Sequence, residues 1–160
     1  MWGELITFLD PDDLLCEDAI FTMYEKMAET EVDVVVCDRD QYIRKFSLNG
    51  SQSYKKIKSN RHTALTAGIY CKPDFLRMRV DNIIPPSAWG KLYRRGMWDS
   101  LRYPVGQNYE DIDVIIPLLM RAESMFVLDK SLIIHRKRPG SITDTLSVEN
   151  IRDKALAYNH

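Results

Sequence analysis

The sequence predicts an α/β fold, a mixed sheet flanked by helices, and three observations carry that reading. Residues 4–9 (Glu-Leu-Ile-Thr-Phe-Leu) form a short apolar run that stops at Asp10-Pro11-Asp12-Asp13. Residues 32–37 (Val-Asp-Val-Val-Val-Cys) have the β-branched density of a central parallel strand. Between them Ala19, Ile20, Met23 and Met27 fall on one helical stripe, so strand, helix and strand follow at the spacing of a βαβ unit.

Each element has its own warrant. Pro11 lacks the amide donor that a central ladder needs, so the first strand ends there, and Asp13 is placed to cap the helix that follows. Glu17 and Asp18 suit the positive end of that helix. Residues 39–63 are polar and basic with no sustained stripe, and Asn49-Gly50 is a hairpin-type turn signal. Lys72-Pro73-Asp74 opens a short helix to about Asp81, and Pro85-Pro86 closes the connection. A strand is expected over 87–94 and a helix over 110–121, bent or confined at its start by Pro117. Residues 125–128 and 132–136 read as two short strands, and 148–158 as a terminal helix. No repeat, low-complexity segment or linker interrupts the 160 residues, so one domain is expected.

Composition narrows the function classes. At 45% apolar and 28% charged residues the chain can bury a core. Its best apolar run, 114–120, is broken by Pro117 and far short of a membrane span, and the first residues do not read as a secretory signal. Cys16, Cys37 and Cys71 are scattered, which disfavours a disulfide framework or zinc site and favours a reducing compartment. Charge is segregated: residues 1–40 carry 12 acids and 2 bases, whereas 41–106 carry 13 bases and 3 acids. That arrangement suits a cation and phosphates, or simply two solvated faces. No nucleic-acid-binding module is recognisable, so no nucleic-acid partner is expected.

Three constellations can carry chemistry. Asp10-x-Asp12 at a strand's carboxyl end can hold a hard cation against phosphates, although Asp12 and Asp13 also read as caps. In Tyr109-Glu110-Asp111-Ile112-Asp113 a carboxylate can take a proton from a hydroxyl, or merely complement a helix dipole. The basic run His135-Arg136-Lys137-Arg138-Pro139-Gly140-Ser141 can clamp a diphosphate or stay solvated. Trp89, near Lys91 and Tyr93, can stack on a sugar or fill core.

Taken in order, these stretches resemble the later part of family-2 glycosyltransferases of the GT-A fold, particularly bacterial enzymes of polysaccharide and capsule assembly. The matching segments are 3–13, 32–38, Ala88-Trp89-Gly90-Lys91-Leu92-Tyr93-Arg94-Arg95, 109–113 and Arg138-Pro139-Gly140-Ser141-Ile142-Thr143. The resemblance implies inverting transfer of a sugar from a nucleotide diphosphate donor to a hydroxyl of a glycan or lipid-linked glycan. It makes Asp111 the base with Glu110 beside it, and it places Asp10 near the donor's ribose and sugar. It gives Asp12 to Mg²⁺ or Mn²⁺ and makes His135 a second metal or phosphate contact. Arg136, Arg138 and Ser141 then lie along the diphosphate, and Trp89 and Lys91 border the acceptor. A cytoplasmic location, at most peripheral to the inner face of the membrane, goes with it.

The family's opening nucleotide-binding strands have no counterpart here. At about 30 residues per βαβ unit, roughly 80–100 residues of that half would be absent. The expectation is therefore an incomplete fold, self-associating through an exposed sheet edge and inactive in isolation. Two alternatives stand beside it. One is a non-catalytic remnant that binds a partner or polyanion. The other is a haloacid-dehalogenase-type phosphatase with Asp10 as nucleophile.

Overall fold

The β-branched run becomes the centre of the molecule because it can be apolar on both faces. The computed structural model describes residues 3–46, 52–60, 66–81, 83–106, 108–137 and 147–157. Its strands are β1 Leu5–Thr7, β2 Leu14–Leu15, β3 Val34–Phe46, β4 Gln52–Asn60, β5 Gly68–Cys71, β6 Lys91–Arg94 and β7 Ser124–Lys137. Its helices are α1 Ala19–Thr30, α2 Lys72–Val80, α3 Glu110–Arg121 and α4 Val148–Ala157. The strands form one mixed sheet in the order β1-β6-β3-β7-β2, with β4 joined to β3 and β5 to β7. Among the described residues only β3 and β7 pair in parallel; the other pairs are antiparallel.

Alternation along β3 divides the core. Val34 and Val36 pack with Tyr93, Phe75, Ile115, Leu118, Leu119 and Met125 under α2 and α3. Val35 and Cys37 pack on the opposite face with Leu92, Leu132 and the α1 residues Ala19, Met23 and Met27. Both faces of the central strands are thus covered, as their near-continuous hydrophobicity requires. Ile20, expected on the buried stripe, is exposed.

The expected fold class holds, and several local expectations change. β1 and the start of β3 run in the same direction, but β6 lies between them, antiparallel to both. Among the described residues all strands join one sheet: β7 spans both short strands expected over 125–128 and 132–136, and β3 continues through the basic stretch to Phe46. Register shifts around Asp38 mark where β7 crosses its polar middle, Asp129-Lys130-Ser131. β4 returns antiparallel along β3, as a hairpin would, while Asn49-Gly50 lies outside the described residues. The strand expected over 87–94 begins only at Lys91: the Ala88 N–H and carbonyl go to the Asp111 and Tyr93 side chains, while the Gly90 carbonyl still accepts the Cys37 N–H of β3. α3 continues through Pro117. β1 is only three residues long, and among the described residues no strand pairs with its outer side.

Candidate active site

The first acidic motif is a tight turn. Asp13 N–H donates to the Asp10 carbonyl at 3.0 Å, with Pro11 in the position that its fixed φ favours. The turn feeds β2, whose Leu14 lies opposite Ile134 of β7. That register sets Asp13 beside His135. The Asp13 carboxylate is wholly buried: Oδ2 lies 3.0 Å from His135 Nδ1, and Oδ1 accepts the Arg136 N–H at 3.0 Å. A carboxylate offers only acceptors, so this bond puts a proton on Nδ1.

Asp13 is therefore no helix cap. The residue at the N-cap of α1 is Asp18, whose side chain makes no capping bond and pairs instead with Lys130. The Arg136 Nε also donates to the Asp12 carbonyl, so β7 grips this turn at three points. Asp13→Ala should strand a buried amide and a ring N–H. A loss of about 3 kcal/mol is expected, read as a lower urea midpoint with unchanged slope.

The second motif opens α3. Tyr109 precedes it in a left-handed conformation, φ 62° and ψ 29°, which is uncommon for an aromatic residue. Two residues on, Asp111 Oδ2 accepts the Ala88 N–H at 3.1 Å. Burial raises the Asp111 pKa, and Glu110 adds to the rise, while the Ala88 bond, Lys91 and Tyr103 oppose it. Asp10 is raised as well, first by burial and then by Asp13, Asp111 and Asp12. The end of β1 and the start of α3 thus share one field of negative charge.

Aromatic and basic groups border this acidic centre. Trp89 stacks on His135, ring centroids 5.9 Å apart and planes 11° from parallel. The Arg39 guanidinium lies 4.6 Å from the Trp89 centroid. Arg136 reaches toward the Tyr54 ring at 6.0 Å. Lys91 differs from the expectation of a surface position: it is wholly buried and donates to the carbonyls of Pro85 at 3.2 Å and Ser87 at 2.5 Å. An acceptor bound at the surface would not meet its amine.

Burial lowers the Lys91 pKa to about 7 and raises the Cys37 thiol to about 12. Above pH 7 the unfolded chain holds a lysine proton that the native chain has shed, so stability rises with pH. Above about pH 8.5 the unfolded Cys37 thiol ionises while the native one does not, which acts in the opposite direction. Between pH 7 and 8.5 we expect a gain of about 2 kcal/mol in urea unfolding, absent from Lys91→Met.

Asp10 and Asp12 in the turn after β1, Glu110 and Asp111 at the start of α3, His135 and Arg136 on β7 and Trp89 before β6 therefore lie on adjoining segments, whereas Arg138 and Ser141 lie outside the described residues. Among the described residues no three His, Cys, Asp or Glu side chains converge as a ready-made metal site. The donor set nonetheless fits Mg²⁺ or Mn²⁺, which take one or two carboxylates and complete their shell with substrate phosphates and water. Crowding of Asp10 by three other carboxylates is the kind of field that a divalent cation relieves. Arg39, Tyr103 and the Ala88 amide were not legible as site groups, because no local pattern singles them out. No helix among the described residues is long and apolar enough to cross a membrane.

Comparison with known proteins bears on this geometry. The family model described as Glycosyl transferase family 2 matches residues 2–101. Glycosyltransferase GlyA of Streptococcus pneumoniae serotype 4 (strain ATCC BAA-334 / TIGR4) is 29% identical over 148 residues, covering 89% of this chain and 20% of GlyA. Glycosyltransferase GlyG of the same strain is 22% identical over 155 residues, covering 89% of this chain and 47% of GlyG. The chain thus spans between a fifth and about half of these relatives. Among solved structures, S. aureus TarS 1-349 in complex with UDP-GlcNAc superposes with a TM-score of 0.67 at 20% identity, over 98% of this chain and 43% of that one. The shared fold is the mixed, helix-flanked sheet of GT-A glycosyltransferases.

Proposed function

Because the chain belongs to glycosyl transferase family 2, we propose that residues 1–160 are the later part of one catalytic domain, which transfers a sugar with inversion from a nucleotide diphosphate donor to a glycan or lipid-linked glycan hydroxyl. One observation carries the reading: Asp10 and Asp12, ending β1, share an electrostatic field with a half-buried Asp111 at the head of α3. A donor's diphosphate belongs at the first pair and an acceptor's hydroxyl at the second.

Asp111 serves as the base. Burial lifts its proton affinity toward the range where a base works best, and the Ala88 N–H fixes its orientation. The acceptor oxygen attacks the anomeric carbon, its proton passes to Asp111, and the bond from that carbon to the diphosphate breaks. Trp89, stacked on His135, offers a flat face to a sugar ring. Arg136 bears positive charge toward the diphosphate. Asp12, with Asp10 and His135, would hold Mg²⁺ or Mn²⁺, which would supply neutralising charge for the departing nucleotide diphosphate. The UDP-GlcNAc complex of TarS makes uridine nucleotides the first donors to try.

The test is a panel of nucleotide sugars with Mn²⁺ and saccharide acceptors, assayed on the full-length protein, with product configuration read by NMR. Inverted product is the expected result. Phosphate release from simple phosphoesters without sugar transfer would overturn the proposal in favour of a phosphatase.

A further inference from the structure

Resting on the assignment of Asp111 as the base, we propose that Lys91 and Tyr93 are positioning residues: they pin the carbonyls of residues 85–88 so that the Ala88 N–H is held on the Asp111 carboxylate. The segment leading into β6 has little backbone pairing to hold it. Pro85 and Pro86 have no N–H to give, and residues 87–90 lie outside the strand. Side chains take the place of a ladder. Arg79 Nη1 donates to the Ile84 carbonyl at 3.1 Å. Lys91 Nζ donates to Pro85 and Ser87 at 3.2 and 2.5 Å, and the Tyr93 hydroxyl donates to Ala88 at 3.0 Å.

Lys91 and Tyr93 are two apart on β6, so both project from the same face, and both are wholly buried. A buried amine is costly, and an apolar side chain of similar length would fill the space without that cost. What the amine adds is two fixed carbonyls. A neutral amine still carries two N–H bonds, enough for both, so the pin persists on either side of neutral pH. The Ala88 peptide is thereby clamped from two directions: its carbonyl by Tyr93, its amide on Asp111.

The test needs no sugar transfer. In the ¹⁵N-labelled full-length protein, the Ala88 amide proton should shift as Asp111 titrates, and Asp111→Asn should remove that shift. Other groups face Asp111 too: Glu110 on its own helix, Tyr103 in the preceding loop, Asp10 after β1 and Lys91 on β6. Loss of the Lys91 charge alone would therefore move the midpoint and leave the amplitude of the Ala88 shift intact. We expect the amplitude to fall at least twofold in both Lys91→Met and Tyr93→Phe. Tyr93→Phe changes neither charge nor ring packing, and it decides the matter if Lys91→Met does not fold. A merely structural role would lower the melting temperature and keep the amplitude. Parental amplitude in Tyr93→Phe and in any folded Lys91→Met would overturn the proposal. Failure of Asp111 as the base would appear separately, as retained transfer by Asp111→Asn with the amide coupling intact.

Discussion

Asp111→Asn should leave nucleotide binding unchanged while lowering transfer by about 10²–10⁴-fold, the usual worth of a general base. The amide keeps the shape of the side chain, and its oxygen can still accept the Ala88 N–H that now bonds Oδ2 at 3.1 Å. What it loses is the ability to take the acceptor's proton as the glycosidic bond forms. Donor affinity by calorimetry and kcat by product formation separate the two effects. A loss in kcat with unchanged donor Kd is the mark of an interaction made only in the transition state. The parental rate should also fall on the acid side, with a midpoint above the ordinary carboxylate range, because burial raises Asp111 and only its ionised form can act. Retention of more than about a tenth of the parental rate would place the base elsewhere.

Much of the sheet was legible because its strands are driven by local hydrophobic pattern. Val34, Val35 and Val36 are buried in a run that no surface strand would tolerate, and Met23 and Met27 sit beneath α1 as their spacing requires. The misplaced boundaries are those set by tertiary pairing. β3 runs through Arg39-Asp40-Gln41 because β4 and β7 supply ladder partners on both sides, which no propensity of those residues announces. β2 is two residues long and exists because β7 lies beside it. β5 has no preceding signal for the same reason: it is held along the start of β7.

The site was legible as a set of motifs, less so as a set of roles. Asp10 and Asp12 stood out because carboxylates after a strand can hold a cation, and Asp111 because the family resemblance singles it out within 109–113. Asp13 looked like a cap, since Asp before a helical stripe usually is one. Only the β2–β7 register reveals that its partners are His135 and Arg136. Lys91 shows the converse failure. A lysine beside a tryptophan reads as a surface group, yet a strand entering the core carries it inward to carbonyls that proline-bearing residues leave unpaired. Contacts across distant segments leave no periodic trace, which is why Arg39, over the Trp89 ring, and Tyr103, facing Asp111, were silent too.

The burial of Asp13 sharpens the last expected result. Three acids stand in the turn after β1, and one of them cannot serve a ligand, because its two oxygens are already committed to His135 and the Arg136 amide. On the proposed reading, metal-dependent nucleotide binding then falls, within this turn, on Asp12 and Asp10. In calorimetry with UDP and Mn²⁺, Asp12→Ala should weaken binding about 100-fold, near 2.7 kcal/mol, and Asp10→Ala about tenfold. Chelation with EDTA should bring the parental protein down to the level of Asp12→Ala and leave that variant unchanged, since both manipulations remove the same contact. The Arg136 hold on the turn should survive the substitution, because it is made to the Asp12 carbonyl. Loss of affinity without loss of the urea midpoint therefore separates a ligand role from a structural one. Asp13→Ala should reverse that pattern, lowering the midpoint first. Unchanged Mn²⁺-dependent affinity in Asp12→Ala would remove the cation from this turn and leave the diphosphate to the basic groups of β7.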